Sequence, residues 1–169
     1  MSNSEFSARI LKDVCWNIYE PICNIKRIVR KNPDIHNNPD NLQISGDYPF
    51  DTKISHGNYI YIQYCVDRCG ELLPVTKKYK SRENANGFTA GDILEHIYRF
   101  YTSEIPHDEC VAISLTNDPF NYFESAKDAL KNSSVLYRER IMGSLTCFEG
   151  LKFVRMNGDI PMYEIMLGS

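Results

Sequence analysis

The sequence predicts an α+β fold: an antiparallel sheet built from two hairpins, with three helices packed mainly on one face. Three stretches lead to this. Residues 58–66 alternate, with Ile60, Ile62, Tyr64 and Val66 on one side and Tyr59, Tyr61, Gln63 and Cys65 on the other, the period of a half-buried strand. Asn157 and Gly158 stand between two apolar runs, and this dipeptide suits a type I′ turn with left-handed φ at both positions. Residues 89–105 repeat at helical spacing instead: Ile93, Ile97 and Phe100 form a stripe that Leu94, Tyr98, Tyr101 and Ile105 widen. A chain of 169 residues has the length of one domain, 1–169, able to bury about two-thirds of its unfolded surface.

Taken in order, residues 5–20 read as a first helix. Phe6, Ile10, Val14 and Ile18 recur every fourth residue, Leu11 and Cys15 flank them, Trp16 lies off the line and Pro21 interrupts. Residues 22–31 carry another helix-like repeat with a basic outer face, for which a strand is the alternative. Residues 32–41 are dense in Asn, Asp and Pro and form a loop. From Leu42 the period is two: a short strand at 42–44, a turn at 46–49, the strand at 58–66, a turn at 67–70 and a return strand at 72–80. Pro74 confines that return to an edge or a bulge.

Thr89 is placed to cap the central helix. Asp92, three residues on, takes the capping-box role and complements the helix dipole, Glu95 and Arg99 pair at i, i+4, and Pro106 stops the helix. Residues 111–115 suit a short strand or a helical turn. Asp118 and Pro119 supply an N-cap and a first helical residue for a helix over 119–131, with Phe120, Phe123, Ala126 and Leu130 inward. The C-terminal quarter is the second hairpin, 151–156 and 160–167.

A net charge of −3 gives no global pull toward nucleic acid or an anionic membrane. No run approaches the roughly 20 apolar residues of a membrane span, and residues 1–5 lack the parts of a signal peptide, so a soluble intracellular protein with no membrane partner is expected. Its six cysteines then read as reduced thiols. Cys65 and Cys69 have a spacing that zinc tolerates, but no second pair lies at ligand spacing. His107, Asp108, Glu109 and Cys110 are four potential ligands or bases in a row, of which Asp108 and Glu109 read as a solvated acidic loop. Phosphate-loop, nucleophile-elbow and zinc-protease motifs are missing. The expectation is a protein without catalytic residues, metal or cofactor.

Two basic clusters stand out: Lys26, Arg27, Arg30 and Lys31, then Lys77, Lys78, Lys80 and Arg82. Joined in space they would form a patch able to displace counterions from a phosphate backbone, with Tyr79 available to stack. The plainer explanation is solvated faces. Residues 104–128 are acidic, and this asymmetry would orient a nucleic acid or bind the acidic side of a neighbouring copy. Tyr59 and Tyr61 would serve a protein contact if the second sheet face is open.

Two segments resemble a family of uncharacterised proteins of large nucleocytoplasmic DNA viruses, the giant viruses. One is the series Gly87, Phe88, Thr89, Asp92, Ile93, Leu94, Ile97, Phe100, Tyr101, Glu104 and Ile105; the other runs from Arg138 to the C-terminus. Phe148, Glu149 and Gly150 depart from the pattern, where the family carries a polar helix with a His. An uncharacterised fungal domain family shares a similar Asp-Ile-Leu helix. The abundance of Ile and Asn, suggesting AT-rich coding, agrees with a viral source. The resemblance implies a setting, virion or infected-cell cytoplasm, and no mechanism. The expectation is a non-enzymatic viral protein acting through protein contacts or self-association. The alternative is a nucleic-acid-binding accessory protein using the clusters at 26–31 and 77–82.

Overall fold

The computed structural model describes residues 9–31, 42–68, 71–82, 86–115, 124–138 and 146–168. The fold is α+β, and its main sheet is built from the two expected hairpins. One joins β6 (Tyr59–Arg68) to β7 (Glu71–Lys80), and the other joins β9 (Cys147–Asn157) to β10 (Ile160–Gly168). With β1 (Arg9–Ile10) they give the order β1-β9-β10-β6-β7. The hairpins are internally antiparallel but meet in a parallel pair, Met162 beside Tyr61 and Glu164 beside Gln63. The sheet is therefore mixed: the chain after β7 re-enters it as β9, running parallel to β7, and turns back as β10 beside β6 in the direction of β6. β7 lies at the edge, as Pro74 requires.

The second hairpin turns one residue later than the dipeptide suggests. Asn157 pairs with Ile160, so Gly158 and Asp159 form the loop. Gly158 has φ +62°, and Asn157 is not among the left-handed residues. A glycine at the first loop position is the pattern of a type II′ turn, equally suited to strand twist.

The expected helix over 5–20 is not formed in its described part. Residues 9–17 instead give short extended pieces on either side of a turn at 11–13: β1 pairs with β9, β2 (Val14–Cys15) pairs with β3 (Lys26–Arg30), and Asn17 bridges to Cys147. A spacing of four fits two strand periods as well as one helical turn. Val14, Trp16 and Ile18 are all buried, at 2, 4 and 0 % exposure, so the Trp that lay off the helical line lies on the strand line. At Leu11 the backbone takes φ +56° as the chain leaves one sheet for the other.

The strand alternative holds for the next stretch. A 3-10 turn (Ile22–Asn24) leads into β3, which pairs with β4 (Leu42–Asp47) in a three-stranded sheet. β4 runs on through Asp47, into the expected turn. A third, two-stranded sheet joins β5 (Lys53–Ser55) to β8 (Phe88–Thr89). There a Cβ on Gly87 (φ +102°) would lie 1.7 Å from the Ser55 carbonyl oxygen, so no other residue fits. The loop at 32–41, the turn residues Cys69 and Gly70, and Asp118, Pro119, Phe120 and Phe123 lie outside the described residues.

α1 (Ala90–Thr102) forms as its sequence dictates. The Thr89 hydroxyl accepts from the Asp92 N–H at 3.2 Å, and Asp92 Oδ2 accepts from the Thr89 N–H at 3.0 Å. Phe50 and Thr52 carbonyls take two more first-turn donors, those of Gly91 and Ala90. The helix ends three residues short of Ile105. Glu104 bridges to Tyr137 and the Ile105 N–H donates to Leu136, so the chain is extended before it reaches Pro106. Residues 111–115 belong largely to a helix, α2 (His107–Ser114), which packs beside α3 (Glu124–Asn132).

α1 packs on the inner face of β6 and β7. Tyr64 stacks on Phe100 with ring centres 3.7 Å apart, meets Tyr101 edge-on at 5.6 Å, and pairs its hydroxyl with that of Tyr79 at 2.7 Å. Ile60, Ile62, Ile93, Leu94 and Ile97 fill the space around these rings and are fully buried. Behind them the Arg138 guanidinium lies over Phe100, 4.2 Å from the ring centre, and is bound at both ends by the Glu109 carboxylate.

Candidate functional site

The same alternation that buries Ile60, Ile62 and Tyr64 turns Tyr59, Tyr61 and Gln63 to the opposite side of the sheet. Register then fixes their neighbours. On β7, Lys80 pairs with Tyr59, Lys78 with Tyr61 and Thr76 with Gln63. On β10, Met162 and Glu164 lie beside Tyr61 and Gln63; on β9, Arg155 and Lys152 lie beside Met162 and Glu164. This outer face carries four exposed cations, Lys78, Lys80, Lys152 and Arg155, against the described carboxylates Glu164 and, beside Gly168 at the far end of β10, Glu149. None of the four makes an ion pair among the described residues. The Lys78 ammonium lies 4.5 Å from the Tyr59 ring centre and 5.7 Å from that of Tyr61, within cation–π range of both.

The two expected basic clusters belong to different sheets and differ in state. In the first, Lys26 is bound to Asp47 at 2.7 Å, and Arg27 to Asp13 at 3.2 Å. Arg30 ends β3 opposite Leu42, and Lys31 follows it. The second cluster divides. Lys78 and Lys80 join the tyrosine face, Lys77 pairs with Ile62 and so falls on the inner side of the edge strand, and Arg82 turns to Asp92. Tyr79 does not serve as an open stacking platform. It points inward, stacked on His96 at 4.1 Å and bonded to Tyr64, and burial raises its pKa. Lys152, Arg155 and Met162 are further residues of this face: Lys152 and Arg155, three apart on β9, share it only because the register shifts between Met162 and Tyr163, and nothing in the sequence signals that shift or the seat of β10 beside β6.

Where β7 ends, an open cleft of about 230 Å³ separates it from α1, lined by Lys80, Arg82, Phe88, Asp92, Glu95, His96 and Arg99. Arg82 Nε lies 2.8 Å from Asp92 Oδ1 in an ion pair, and Arg99 Nε donates to Glu95 Oε1 at 2.7 Å. Asp92 is held below the usual carboxylate range although burial opposes this; the bonds from Thr89 and the charge of Arg82 prevail. His96 is held below its ordinary 6.5, chiefly by burial.

Other candidate groups are engaged elsewhere. Within α2, Glu109 turns to Arg138, while the buried Cys110 thiol donates to the Ala126 carbonyl oxygen at 3.6 Å. Burial, then the neighbouring Glu109, pushes that thiol's pKa up. No three His, Cys, Asp or Glu among the described residues could hold a metal ion together. Cys69 lies outside those residues. No helix among them is long and apolar enough to cross a membrane.

No protein family, curated protein or solved structure matches the chain.

Proposed function

We propose that this chain is a non-enzymatic binding protein whose working surface is the outer face of the five-stranded sheet, and that its ligand is single-stranded nucleic acid. One observation carries the reading: Tyr59 and Tyr61 stand side by side, with the Lys78 ammonium across both rings, and around them Lys80, Lys152 and Arg155 make no ion pair among the described residues. Aromatic rings on an open sheet stack unpaired bases, and cations in the flanking strands follow the phosphate backbone. Magnitudes allow the exchange. An exposed cation–π contact is worth about 0.5–1 kcal/mol, and a stacked base about 1–3 kcal/mol, so a base can displace Lys78 from the rings toward an adjacent phosphate.

A protein partner on this face, the first expectation, is less well supported. Tyrosines are enriched at protein interfaces, but lysines are depleted from their centres, and Lys78 sits over the two rings. The net charge of −3 bears on the whole chain and not on this face. The setting, virion or infected-cell cytoplasm, rests on the resemblance to giant-virus proteins alone.

The test is fluorescence anisotropy with an unstructured oligothymidine of about twelve nucleotides, within the usual range of site sizes. Four phosphate contacts give an expected slope of log affinity against log salt of about −3. Tyr59→Ala with Tyr61→Ala should weaken binding at least tenfold, about one stacked base. No binding, or binding indifferent to salt, removes the reading.

A further inference from the structure

The cleft beside the sheet face has a use that the tyrosine platform does not supply. Lys80 belongs to both: it pairs with Tyr59 on the strand and lines the cleft at the strand's end. The ladder closes there, with the Ser81 N–H donating to Asn58 at 2.9 Å. A strand lying across Tyr59 and Tyr61 toward Lys80 would therefore reach the cleft next.

Both arginines turn Nε to a carboxylate, Arg82 in an ion pair with Asp92 at 2.8 Å and Arg99 in a hydrogen bond to Glu95 at 2.7 Å, and neither makes another ion pair among the described residues. The carboxylates are themselves fixed, Asp92 by the capping box and Glu95 one turn before Arg99 on the same helix. A guanidinium anchored through Nε presents its outer edge as a paired donor, the geometry that meets two oxygens of a phosphate. Three cations, Lys80, Arg82 and Arg99, exceed two carboxylates by one, the charge of a single phosphodiester. We infer that this cleft is a phosphate-binding site and that, on the reading proposed above, it takes a backbone phosphate of the strand stacked on Tyr59 and Tyr61.

Two measurements separate this inference from the reading it rests on. In nitrogen-15 NMR, inorganic phosphate should shift the Arg99 Nε and His96 ring signals of the wild-type protein, and Arg99→Gln should abolish the His96 shift. Arg99 is largely exposed (74 % of its side chain), so this variant should keep the wild-type unfolding midpoint. In anisotropy, Arg99→Gln should weaken oligothymidine binding severalfold and make the salt slope shallower by about 0.7, one phosphate contact on a single strand. Wild-type affinity and slope in Arg99→Gln, with binding itself intact, overturn the cleft inference and leave the sheet-face reading standing. Phosphate shifts at Arg99 and His96 without oligonucleotide binding uphold the phosphate site and overturn the sheet-face reading. No shift at either residue at tens of millimolar phosphate, on the order of weak single-site affinities, overturns the inference outright.

Discussion

Tyr64 and Tyr61 lie three residues apart on β6 and face opposite ways. Tyr64 is fully buried, stacked on Phe100 and hydroxyl-bonded to Tyr79. Burial first, and the Tyr79 hydroxyl after it, push its pKa well above the ordinary 10.0. Tyr61 is partly buried, and a lysine approaches its ring from the next strand. On the inner face Tyr64 meets the rings of Phe100, Tyr101 and Tyr79, and its phenol is satisfied by a second phenol. On the outer face the rings meet water and cations. One strand thus separates two tasks by its alternation. The inner residues hold the helix to the sheet, and the outer ones can change at little cost to folding.

The widest separation is expected between Ile62→Ala and Tyr61→Ala. Ile62 is fully buried, and truncation there should cost about 2–5 kcal/mol through lost burial and the cavity left behind. Tyr61→Ala should cost about 0.5 kcal/mol or less. Urea unfolding of both variants measures the difference, and equal losses would break the division of faces. Next comes Glu109→Ala. It strips the carboxylate from Arg138, a side chain only 3 % exposed whose Nε has no partner among the described residues. Breaking a buried pair from one side costs about 3–5 kcal/mol; with Glu109 21 % exposed, about 3 kcal/mol is expected. A loss under about 1 kcal/mol would mean that the ring of Phe100 suffices to hold the guanidinium.

Much of the inner face could be read in advance, because burial repeats at a fixed period. The stripe of α1, its Thr89–Asp92 cap and the alternation of β6 each follow from contacts a few residues apart. The first segment misled because four residues span one helical turn and also two strand repeats; only the alternation of Val14, Trp16 and Ile18 separates these. The outer face was half legible. Tyr59 and Tyr61 were evident, and Lys78 and Lys80 were grouped as basic residues, but their union depends on the register between β6 and β7. Lys152 and Arg155 arrive through β10, whose parallel seat beside β6 is a matter of topology that no local pattern encodes. Pairing likewise decided between the basic clusters, since Asp47 and Asp13 neutralise cations 21 and 14 residues away.

His96 stands where the two faces meet, and it gives the smallest effect and the finest test. Its ring stacks on the inward Tyr79, and its edge lines the cleft with Asp92 and Glu95, which favour its protonation, and Arg82 and Arg99, which oppose it. Burial outweighs these charges and holds its folded pKa below the ordinary 6.5. As pH falls the unfolded chain takes up the proton first, so this contribution to stability is complete above 6.5 and is lost as pH falls through 6.5 toward the folded value. Asp92, also depressed, loses its contribution only below its ordinary 3.8, in a separate window. The urea midpoint should therefore decline in two steps, and His96→Gln should remove the upper step alone. Phosphate binding should move the other way over that upper window, since a protonated imidazole adds a fourth cation to the cleft and a bound phosphate favours the charged form. If stability and phosphate affinity instead fell together, His96 would belong wholly to the inner face, and the cleft would act through Lys80 and the arginines without it.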